Sequence, residues 1–500
     1  MSLAILHCRG QSGIDAPPVT IEVFLSGGLP AFTIVGMAET AVRESKDRVR
    51  GALISSGFDF PQQRITVSLG PADMPKAGGR YDLAIALGIL AARKQFSVDA
   101  LGKLEFYGEL ALSGELRSVP GILPAALRAR ESRRAIVLPV GNRTEAAVTD
   151  ASVYPAGSLL EVTAHLAGRR IIEPYAESAD SYFPPPQYDL ADVKGQSRAK
   201  RALEIAAAGG HNLLLIGPPG TGKSMLARRL PGLLPELSKT EAIETAAIKS
   251  VLGMPLVAAS WRRRPFRAPH HTATAPALVG GGKGPRPGEV SRAHNGVLFL
   301  DELPEFNRNV LEVLREPIET GSITISRASG QADFPARFQL IAAMNPCPCG
   351  YHGDKQADCC CSADRVASYR GKISGPLLDR IDLHVEVMRP PLSALRSNAA
   401  SDEASTIVAA RVKRAWQLQM QRAAVSNARL KGPALHEHCD TDDQCWMLLE
   451  GAAEQFNLSA RTHQRILRVA RTIADLADAK RITPPHIAEA LSLRCLDRRL

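Results

Sequence analysis

Residues 211–224 read HNLLLIGPPGTGKS, an apolar run that leads straight into a glycine-rich loop. The glycines let the backbone curl tightly enough for successive N–H groups to point inward at phosphate oxygens. Lys223 is then expected to reach the β- and γ-phosphates of a nucleotide, while the hydroxyl of Ser224 binds magnesium. The helix predicted to follow presents its positive N-terminal end to the same anion. The stretch therefore predicts a binding loop for ATP and magnesium, made of Gly217, Pro218, Pro219, Gly220, Thr221, Gly222, Lys223 and Ser224.

An acidic pair further along the chain supplies the second half of such a site. Residues 297–302 read VLFLDE, in which the apolar residues predict a buried strand. Asp301 at its end is expected to join the magnesium shell, and Glu302 to activate the water that attacks the γ-phosphate. A further predicted strand ends at Asn345, which is either the residue that positions this water or a simple turn former.

Composition excludes some classes of protein and leaves others open. The chain has 500 residues, of which 45% are hydrophobic, and its length suits about three domains. Lys and Arg number 61 against 51 Asp and Glu, and the resulting charge of +10 suits a polyanionic partner or a generally basic enzyme. No apolar run approaches the ~20 residues of a membrane span, and the first residues lack a secretory signal pattern. We therefore expect a cytoplasmic protein without a membrane partner.

Residues 1–172 predict a separate α+β domain, because β-rich runs alternate with helical patterns. Two stretches, residues 74–86 and 107–121, resemble the segments of the Lon-type protease domain that carry its serine–lysine dyad. By this resemblance the serine falls at Arg80 and the lysine at Leu123, and neither can act as nucleophile or general base. We expect a binding, assembly or structural module without proteolysis. The predicted strands are Leu3–Cys8, Val19–Leu25, Arg64–Leu69, Glu105–Leu112 and Ala135–Pro139, and the predicted helices are Glu39–Ser56, Tyr81–Arg93 and Ile122–Arg130.

Residues 173–187 are polar and then proline-rich, as expected of an interdomain linker. Residues 188–388 are predicted to form an ATPase core, and residues 389–500 a helical lid. The predicted core elements are the helices Ser197–Ala208 and Asn309–Ile318 and the strands Ser322–Ser326 and Gln339–Ala343, around a polar turn at Ala328–Asp333. The predicted lid helices are Glu403–Ala424, Asp442–Phe456 and Ser459–Lys480.

Two basic segments, residues 261–272 and 280–288, lie between the nucleotide motifs. Basic and glycine-rich sequence suits a mobile loop that touches a phosphate backbone, and equally a solvated surface loop. His270 and His271 are adjacent, and on a strand they would point to opposite sides, so we expect no metal there.

Arginines in the second half of the chain are candidates for contact with a nucleotide. Arg380 ends a helical pattern just before a strand, where it can reach a neighbouring subunit's γ-phosphate or form a salt bridge to a nearby carboxylate. Arg461 begins a lid helix and can aim back at the nucleotide, although a cation at that end opposes the helix dipole. The other lid arginines are expected to face solvent or DNA, and they are Arg465, Arg468 and Arg471.

The nine cysteines are unevenly distributed, and five of them lie between residues 347 and 361. In a reducing compartment such a cluster suggests a metal before it suggests disulfides. Two Cys-x-Cys pairs can supply the thiolates of a tetrahedral zinc, with reduced loop thiols as the alternative. His352 or Cys360 could replace one ligand. The predicted zinc ligands are Cys347, Cys349, Cys359 and Cys361.

The whole chain resembles the magnesium-chelatase-like AAA+ ATPase family, in its ComM/YifB branch. The motifs that carry the resemblance are GPPGTGKS at 217–224, RPFRAPHHT at 264–272, VLFLDELPEF at 297–306, NPCPCG at 345–350 and KISGPLLDRIDLHVEV at 372–387. The resemblance implies an α/β fold with an AAA+ P-loop NTPase core. It also implies an α+β Lon-protease-like N-terminal domain, a Cys-rich insert at residues 345–362 and a helical C-terminal lid.

The resemblance further implies a homohexameric ring with defined roles for single residues. Asn345 would be the sensor, Arg380 a finger that acts in trans and Arg461 the lid sensor, and Ile323–Phe334 would form a hairpin near the central pore. The implied function is an ATP-driven DNA motor, a branch-migration helicase that acts on single-stranded and branched DNA during natural transformation. The alternative is a remodelling ATPase that acts on a protein partner, as in magnesium chelatase. Motor subunits of that kind usually lack the N-terminal domain, which weighs against the alternative.

Overall fold

The structure is a computed structural model, and it forms two compact units. The first unit is Met1–Phe183 with Lys239–Trp261, and the second is Pro184–Ser238 with Arg262–Leu500. Most of the predicted linker, the start of the predicted lid and Lys283 lie outside the described residues. None of the described helices combines the length and apolarity that a membrane crossing needs. The described residues are 2–97, 101–176, 188–257, 260–282, 285–327, 330–354, 356–390, 403–456 and 458–496.

A seven-stranded mixed sheet forms the centre of the first unit. Its strands are β1 (Ser2–Arg9), β2 (Pro18–Ser26), β3 (Ala31–Val35), β4 (Arg64–Gly70), β5 (Leu104–Phe106), β8 (Ala135–Pro139) and β9 (Val153–Ala156); β6 (Glu109–Leu110) pairs with β7 (Leu116–Arg117) outside it. The order across the sheet is β3-β4-β2-β1-β5-β8-β9. β1 runs antiparallel to β2 and parallel to β5. Along β2, inward residues alternate with more exposed ones.

One apolar helix covers the buried face of this sheet. All residues of α3 (Asp82–Ala92) are buried, and the helix packs against β1 and β2. Gly88 allows this close approach, because a Cβ there would lie 2.4 Å from Cγ2 of Val23. The other helices are α1 (Thr40–Arg43), α2 (Ser45–Ser55), α4 (Ile122–Glu131), α5 (Arg143–Ala147) and α6 (Leu159–Leu166).

Two predicted elements of the first unit are wrong in extent. The helix predicted over Glu39–Ser56 is broken at Glu44, and α2 begins where the buried hydroxyl of Ser45 donates to Asp82. The strand predicted over Glu105–Leu112 is interrupted after β5, because Gly108 adopts a φ of +152° that other residues rarely take. In both cases local backbone geometry interrupts a continuous sequence pattern.

One helix of the first unit comes from within the predicted ATPase core. The helix α9 (Lys239–Val251) packs against α4, where its alanine side chains contact the fully buried Leu123. The backbone N–H groups of Gly121 and Leu123 donate to the carbonyl and the hydroxyl oxygen of Ser250, at 2.8 and 3.1 Å. The position that the resemblance assigns to the dyad lysine is therefore an apolar contact beneath this helix.

Arg80, at the position assigned to the dyad serine, connects three backbone segments. Its side chain is buried, and its guanidinium donates to the carbonyl oxygens of Arg9 and Gly10 at 3.3 and 3.1 Å. It also donates to the carbonyl oxygen of Pro120, two residues before α4. A charged donor that satisfies several buried carbonyl groups is a structural element.

Replacement of Arg80 by alanine should destabilise the first unit by about 2–3 kcal/mol, because buried carbonyl groups lose a charged donor. The measurement is the free energy of unfolding from chemical denaturation. Arg117→Ala is the control, since Arg117 is 65% exposed and its nearest carboxylate oxygen lies 3.8 Å away. Equal free energies of unfolding for the two variants would contradict the structural role of Arg80.

A five-stranded parallel sheet forms the centre of the second unit, which confirms the predicted α/β class. Across the sheet its strands are β11 (Phe266–Arg267), β14 (Val297–Leu300), β17 (Gln339–Met344), β10 (Leu213–Ile216) and β18 (Leu383–Glu386). The strands of the two nucleotide motifs, β10 and β14, are therefore separated by β17. All three strands end at the same edge, because neighbouring strands run in the same direction.

Helices surround this sheet, and the C-terminal helices share its hydrophobic core. The helices up to the predicted lid are α7 (Ser197–Gly209), α8 (Lys223–Arg229), α10 (Ala275–Val279), α11 (Glu289–Arg292), α12 (Arg308–Glu312), α13 (Arg315–Thr320), α14 (Ala363–Gly371) and α15 (Gly375–Leu378). The C-terminal helices are α16 (Ser405–Ala423), α17 (Pro433–His438), α18 (Asp443–Phe456), α19 (Ala460–Leu476) and α20 (Pro484–Ser492). α16 and α19 pack against α7, so the core and these helices form one unit.

The helix predicted over Asn309–Ile318 is wrong as a single element, because the chain forms α12 and α13 there. Pro317 explains the break. Proline lacks a backbone N–H and is tolerated in the first turn of a helix but not in its interior.

Two β-hairpins of the second unit lie beside each other. The predicted polar turn at 328–333 is wrong in its second part, which is the strand β16 (Gly330–Pro335). β16 pairs with β15 (Ser322–Arg327) and forms the hairpin that the resemblance implied. The second hairpin joins β12 (Gly280–Gly281) to β13 (Arg286–Pro287), and β12 lies next to β15.

Two of the lid arginines lie inside the second unit, so the prediction that they face solvent or DNA is wrong for them. Arg471 is 2% exposed and forms an ion pair with Asp475 at 3.0 Å. Arg465 donates to Asp382 at 2.6 Å. Burial alone would raise the pKa of Asp382, but the imidazole of His211, 3.7 Å away, and the charge of Arg465 hold that pKa well below its usual range. These arginines therefore connect α19 to the sheet.

Candidate nucleotide-binding site

The carboxyl ends of β10, β14 and β17 meet at one edge of the parallel sheet and border a cavity of about 380 Å³. In open α/β sheets, ligands bind at the carboxyl ends of the strands. The predicted phosphate loop, acidic pair and asparagine all contribute to this cavity. Its lining residues are Pro219, Gly220, Thr221, Gly222, Lys223, Ser224, Met225, Asp301, Glu302, Met344 and Asn345.

The glycines of the phosphate loop are needed where they stand. A Cβ at Gly217 would lie 2.2 Å from the carbonyl oxygen of Val387, so a side chain has no room there. Gly220 and Gly222 have φ values of +76° and +92°, which favour glycine. The helix α8 begins directly after the loop, at Lys223, and its positive end faces the cavity.

Lys223 is held inside the loop by oxygen atoms. Its ammonium donates to the carbonyl oxygens of Gly217 and Pro218 at 2.7 and 2.9 Å, and to Oδ1 of Asn345 at 3.1 Å. Burial lowers the pKa of Lys223 to about 8, although the carboxylates of the acidic pair act in the opposite direction. An anion bound at the cavity would stabilise the charged form of this lysine.

Ser224 and Asp301 form an oxygen pair that fits magnesium. The hydroxyl of Ser224 donates to Oδ2 of Asp301 at 2.6 Å, which brings a residue of the phosphate loop to the end of β14. Magnesium prefers hard oxygen ligands and is usually bound through one or two protein groups together with phosphates and waters. These two side chains therefore suit a magnesium ion that accompanies a nucleotide.

Glu302 has an unusual backbone and a neighbour that the sequence did not indicate. Its φ of +53° is uncommon for a residue other than glycine, and such values occur at functional sites. Oε2 of Glu302 lies 3.4 Å from Nδ1 of His271. The contact between His271 and Glu302 could have been expected, because His271 follows β11, whose carboxyl end lies at the same edge of the sheet. The rings of His270 and His271 do not point apart, because they lie in a turn beyond β11 with their centroids 4.1 Å apart.

The two arginines predicted to contact the nucleotide are not among the residues that line the cavity. Arg380 is 6% exposed, and its Nη2 lies 2.5 Å from Oε1 of Glu319. This contact is the salt bridge that the sequence left open as an alternative. Arg461 is exposed in the first turn of α19. The roles of both arginines at a nucleotide stay predictions.

The first basic segment, residues 261–272, is part of the folded unit. Arg264 donates to the carbonyl oxygens of Pro235 and Asn295, at 2.7 and 2.9 Å. Arg267 pairs with Glu289 at 2.6 Å. These contacts fix the segment and disagree with its interpretation as a mobile or solvated loop. In the second basic segment, Arg286 is exposed.

The thiols predicted to bind zinc lie together. The sulfur atoms of Cys347, Cys349, Cys359 and Cys361 lie within 4.8 Å of one another. The first three are separated by 3.3, 3.6 and 3.7 Å. A tetrahedral zinc with Zn–S bonds of about 2.3 Å holds its sulfurs about 3.8 Å apart. Backbone hydrogen bonding lowers the pKa of Cys349, while the neighbouring sulfurs act to raise the pKa values of Cys359 and Cys361. The geometry and the donor atoms therefore fit zinc.

The Cys-rich insert touches the phosphate loop. Gly350 has a φ of +89°, and a Cβ there would lie 2.7 Å from Cδ of Pro219. On its far side the insert is tied down by an ion pair of 3.1 Å between Asp354 and Arg389. Cys360, considered as a substitute ligand, is exposed. The insert is therefore placed to support the loop that binds phosphate.

Gly350→Ala should weaken ATP binding about tenfold, since overpacking by a methyl group costs about 1–3 kcal/mol. The reason is that the new methyl group would push against Pro219 and displace the phosphate loop. Gly353→Ala is the matched control, because Gly353 has a φ of +79° but no atom within 4 Å of its Cβ position. The measurement is the Kd of ATP by calorimetry, and equal values for the two variants would rule out this support.

Family models match three consecutive parts of the chain. The model described as magnesium chelatase, subunit ChlI, matches residues 189–395. The model for subunit ChlI of Mg-chelatase matches residues 21–142, and that for the ChlI C-terminal region matches residues 402–494. The first of these matches contains every residue that lines the cavity.

Similar proteins extend over the full chain. Competence protein ComM of Haemophilus influenzae is 49% identical over 100% of this chain and 99% of the relative. The uncharacterized protein YifB of Escherichia coli is 48% identical over 100% of this chain and 98% of the relative. The magnesium-chelatase 38 kDa subunit of Rhodobacter capsulatus is 28% identical over 41% of this chain and 57% of the relative. The chain therefore belongs to the magnesium-chelatase-like family, in the branch that contains ComM and YifB.

Proposed function

We propose that this chain is an ATP-hydrolysing motor that works as a homohexamer on single-stranded and branched DNA. In this role it migrates DNA branches in the cytoplasm while incoming strands are recombined during natural transformation. The observation that carries the proposal is the cavity where Lys223, Ser224, Asp301 and Glu302 converge at one edge of the sheet. The similarity over the full chain to a competence protein supports DNA as the partner.

The side chains around the cavity have different roles in ATP hydrolysis. ATP bound with magnesium supplies the phosphoryl bond that is broken. The ammonium of Lys223 would exchange the carbonyl oxygens of its own loop for phosphate oxygens, and Ser224 and Asp301 would hold the magnesium. The carboxylate of Glu302 accepts a proton from the attacking water, and the amide of Asn345, 3.1 Å from Lys223, orients that water.

In a hexameric ring, Arg380 and Arg461 would each have a role at a nucleotide. Arg380 would act as a finger on the γ-phosphate of a neighbouring subunit, where a guanidinium stabilises charge on the transferring phosphoryl group. Arg461, exposed at the start of α19, would contact the nucleotide as the lid sensor. Both roles derive from the family resemblance, and Arg380 does not line the cavity of its own chain, which is consistent with action on a neighbouring subunit.

DNA contact is assigned to the two hairpins of the second unit. They lie side by side, and Arg286 of the shorter hairpin is exposed. The chain as a whole carries a net charge of +10, which favours a phosphate backbone. Because backbone contacts position a protein without reading bases, we expect little sequence preference.

The second candidate is a remodelling ATPase that acts on a protein partner. It is favoured by the chelatase family models, which match most of the chain. The chelatase relative, however, aligns with 41% of this chain, whereas the competence protein aligns with all of it. The longer alignment with the competence protein favours the DNA motor.

Glu302→Gln should lower ATP turnover by about 10²–10⁴-fold while ATP remains bound, because the general base is lost. Glu305→Gln is the control, since Glu305 is a similarly exposed carboxylate that does not line the cavity. Turnover and ATP binding are measured with and without a four-way DNA junction, which should stimulate the wild-type protein. Stimulation by a protein partner and by no DNA would select the remodelling ATPase, and wild-type turnover of Glu302→Gln would remove the assigned base.

We also propose that Cys347, Cys349, Cys359 and Cys361 bind a structural zinc. Elemental analysis of the purified protein should give one zinc per chain, and chelation should lower the melting temperature, because the insert loses its fixed geometry. Cys360→Ser is the control, because Cys360 lies outside the cluster and is exposed. It should retain the zinc, whereas Cys349→Ser should lose it. Protein without zinc and with an unchanged melting temperature after chelation would contradict the site.

A further inference from the structure

Arg380 is bound within its own chain, which is an obstacle to any action on a neighbouring subunit. Its Nη2 lies 2.5 Å from Oε1 of Glu319, and its Nη1 donates to the carbonyl oxygen of Pro376 at 2.6 Å. The side chain of Arg380 is 7% exposed, whereas that of Glu319 is 49% exposed. The backbone of Arg380 is fixed as well, because its carbonyl oxygen accepts a hydrogen bond of 2.8 Å from Asn212. Only the side chain can therefore be released.

The hydrogen bonding of the Arg380 guanidinium is incomplete. Its Nε is buried and has no hydrogen-bond partner among the described residues. The carboxylate of Glu319 is half exposed, so water screens the ion pair partly and weakens it relative to a fully buried pair. A phosphate group offers several charged oxygens to the same donors and forms stronger hydrogen bonds. Glu319 is thus a partner that Arg380 can exchange for an anion.

Glu319 belongs to the base of the longer hairpin. It lies in the last turn of α13, and the hairpin strand β15 begins only three residues later, at Ser322. The hydroxyl of Thr320 accepts from the backbone N–H of Ser322 at 3.3 Å. The carbonyl oxygen of Gly321 accepts from the backbone N–H of Ala336 at 2.8 Å, which closes the base of the hairpin. A displacement of the hairpin base therefore displaces the carboxylate of Glu319.

The hairpin is suited to transmit such a displacement as one body. Ile323, Ile325 and Phe334 are buried on one face of it. On the other face the hydroxyl of Thr324 donates to Asp333 across the strands at 2.6 Å. The paired strands of the hairpin move together with little internal deformation, because the hydrogen bonds between them would otherwise be broken.

We propose that Glu319 is a positioning residue that holds Arg380 within its own chain until the hairpin moves. Contact of DNA with the hairpin then shifts Glu319, and Arg380 becomes free to bind the γ-phosphate of the neighbouring subunit. Contact with DNA and ATP hydrolysis are thereby coupled through a single ion pair. This inference rests on the proposed function, in which Arg380 acts across a subunit boundary.

The test is Glu319→Gln, with Glu316→Gln as the matched control on an exposed position of the same helix. Loss of a partly exposed ion pair should raise the DNA-independent turnover about two- to fivefold. The ratio of turnover with a four-way junction to turnover without it should fall by the same factor. Glu316→Gln should keep both values of the wild-type protein. The melting temperature of each variant is measured in parallel.

The inference and the function on which it rests can fail separately. Glu319→Gln with wild-type values, or with lowered turnover and a lowered melting temperature, would overturn the positioning role. Rings that mix Arg380→Ala with Lys223→Ala subunits test the finger itself, and partial recovery of turnover is expected at their mixed interfaces. If Arg380→Ala alone keeps wild-type turnover, the finger and the inference are both overturned. If the mixed rings recover turnover but Glu319→Gln leaves turnover unchanged, only the inference is overturned.

Discussion

The ammonium of Lys223 is held by oxygens that come from the ends of two neighbouring parallel strands. It binds carbonyl oxygens of the loop after β10 and the side chain of Asn345 after β17. A buried cation between these strands requires compensating oxygens, and the loop and Asn345 supply them. At the third strand end the hydroxyl of Ser224 donates to Asp301, which joins the loop to β14. The candidate site therefore depends on the order of strands in this sheet.

The nucleotide motifs were predictable because each is local in sequence. A glycine-rich loop between a strand and a helix has few uses, and the acidic pair directly follows an apolar strand. The four thiols of the cysteine cluster were also predictable from their spacing. The structure adds that the cluster contacts the phosphate loop at Gly350, which no pattern indicated, because that contact joins residues far apart in sequence.

Long-range partners account for most of what the sequence did not show. The helix α9 lies between two ATPase motifs in sequence, but its apolar face packs on α4 of the first unit. The sequence does not distinguish the roles of Arg380 and Arg465. Arg380 pairs with Glu319 at the base of a hairpin, whereas Arg465 pairs with the buried Asp382. The break between α12 and α13 was missed because a single proline decides it. The residue pattern read part of β16 as a polar turn, although the resemblance implied the hairpin. A basic side chain thus reveals its role only when its carboxylate partner is known.

The central claim is that ATP turnover at this cavity moves branched DNA, and strand exchange in a labelled four-way junction tests it directly. The full-length protein is incubated with the junction and either ATP or a non-hydrolysable analogue. With ATP the arms should separate into duplex products, whereas the analogue should support binding without separation. Higher salt should weaken both binding and separation through loss of phosphate contacts. Junctions that are bound but never separated with ATP would contradict it.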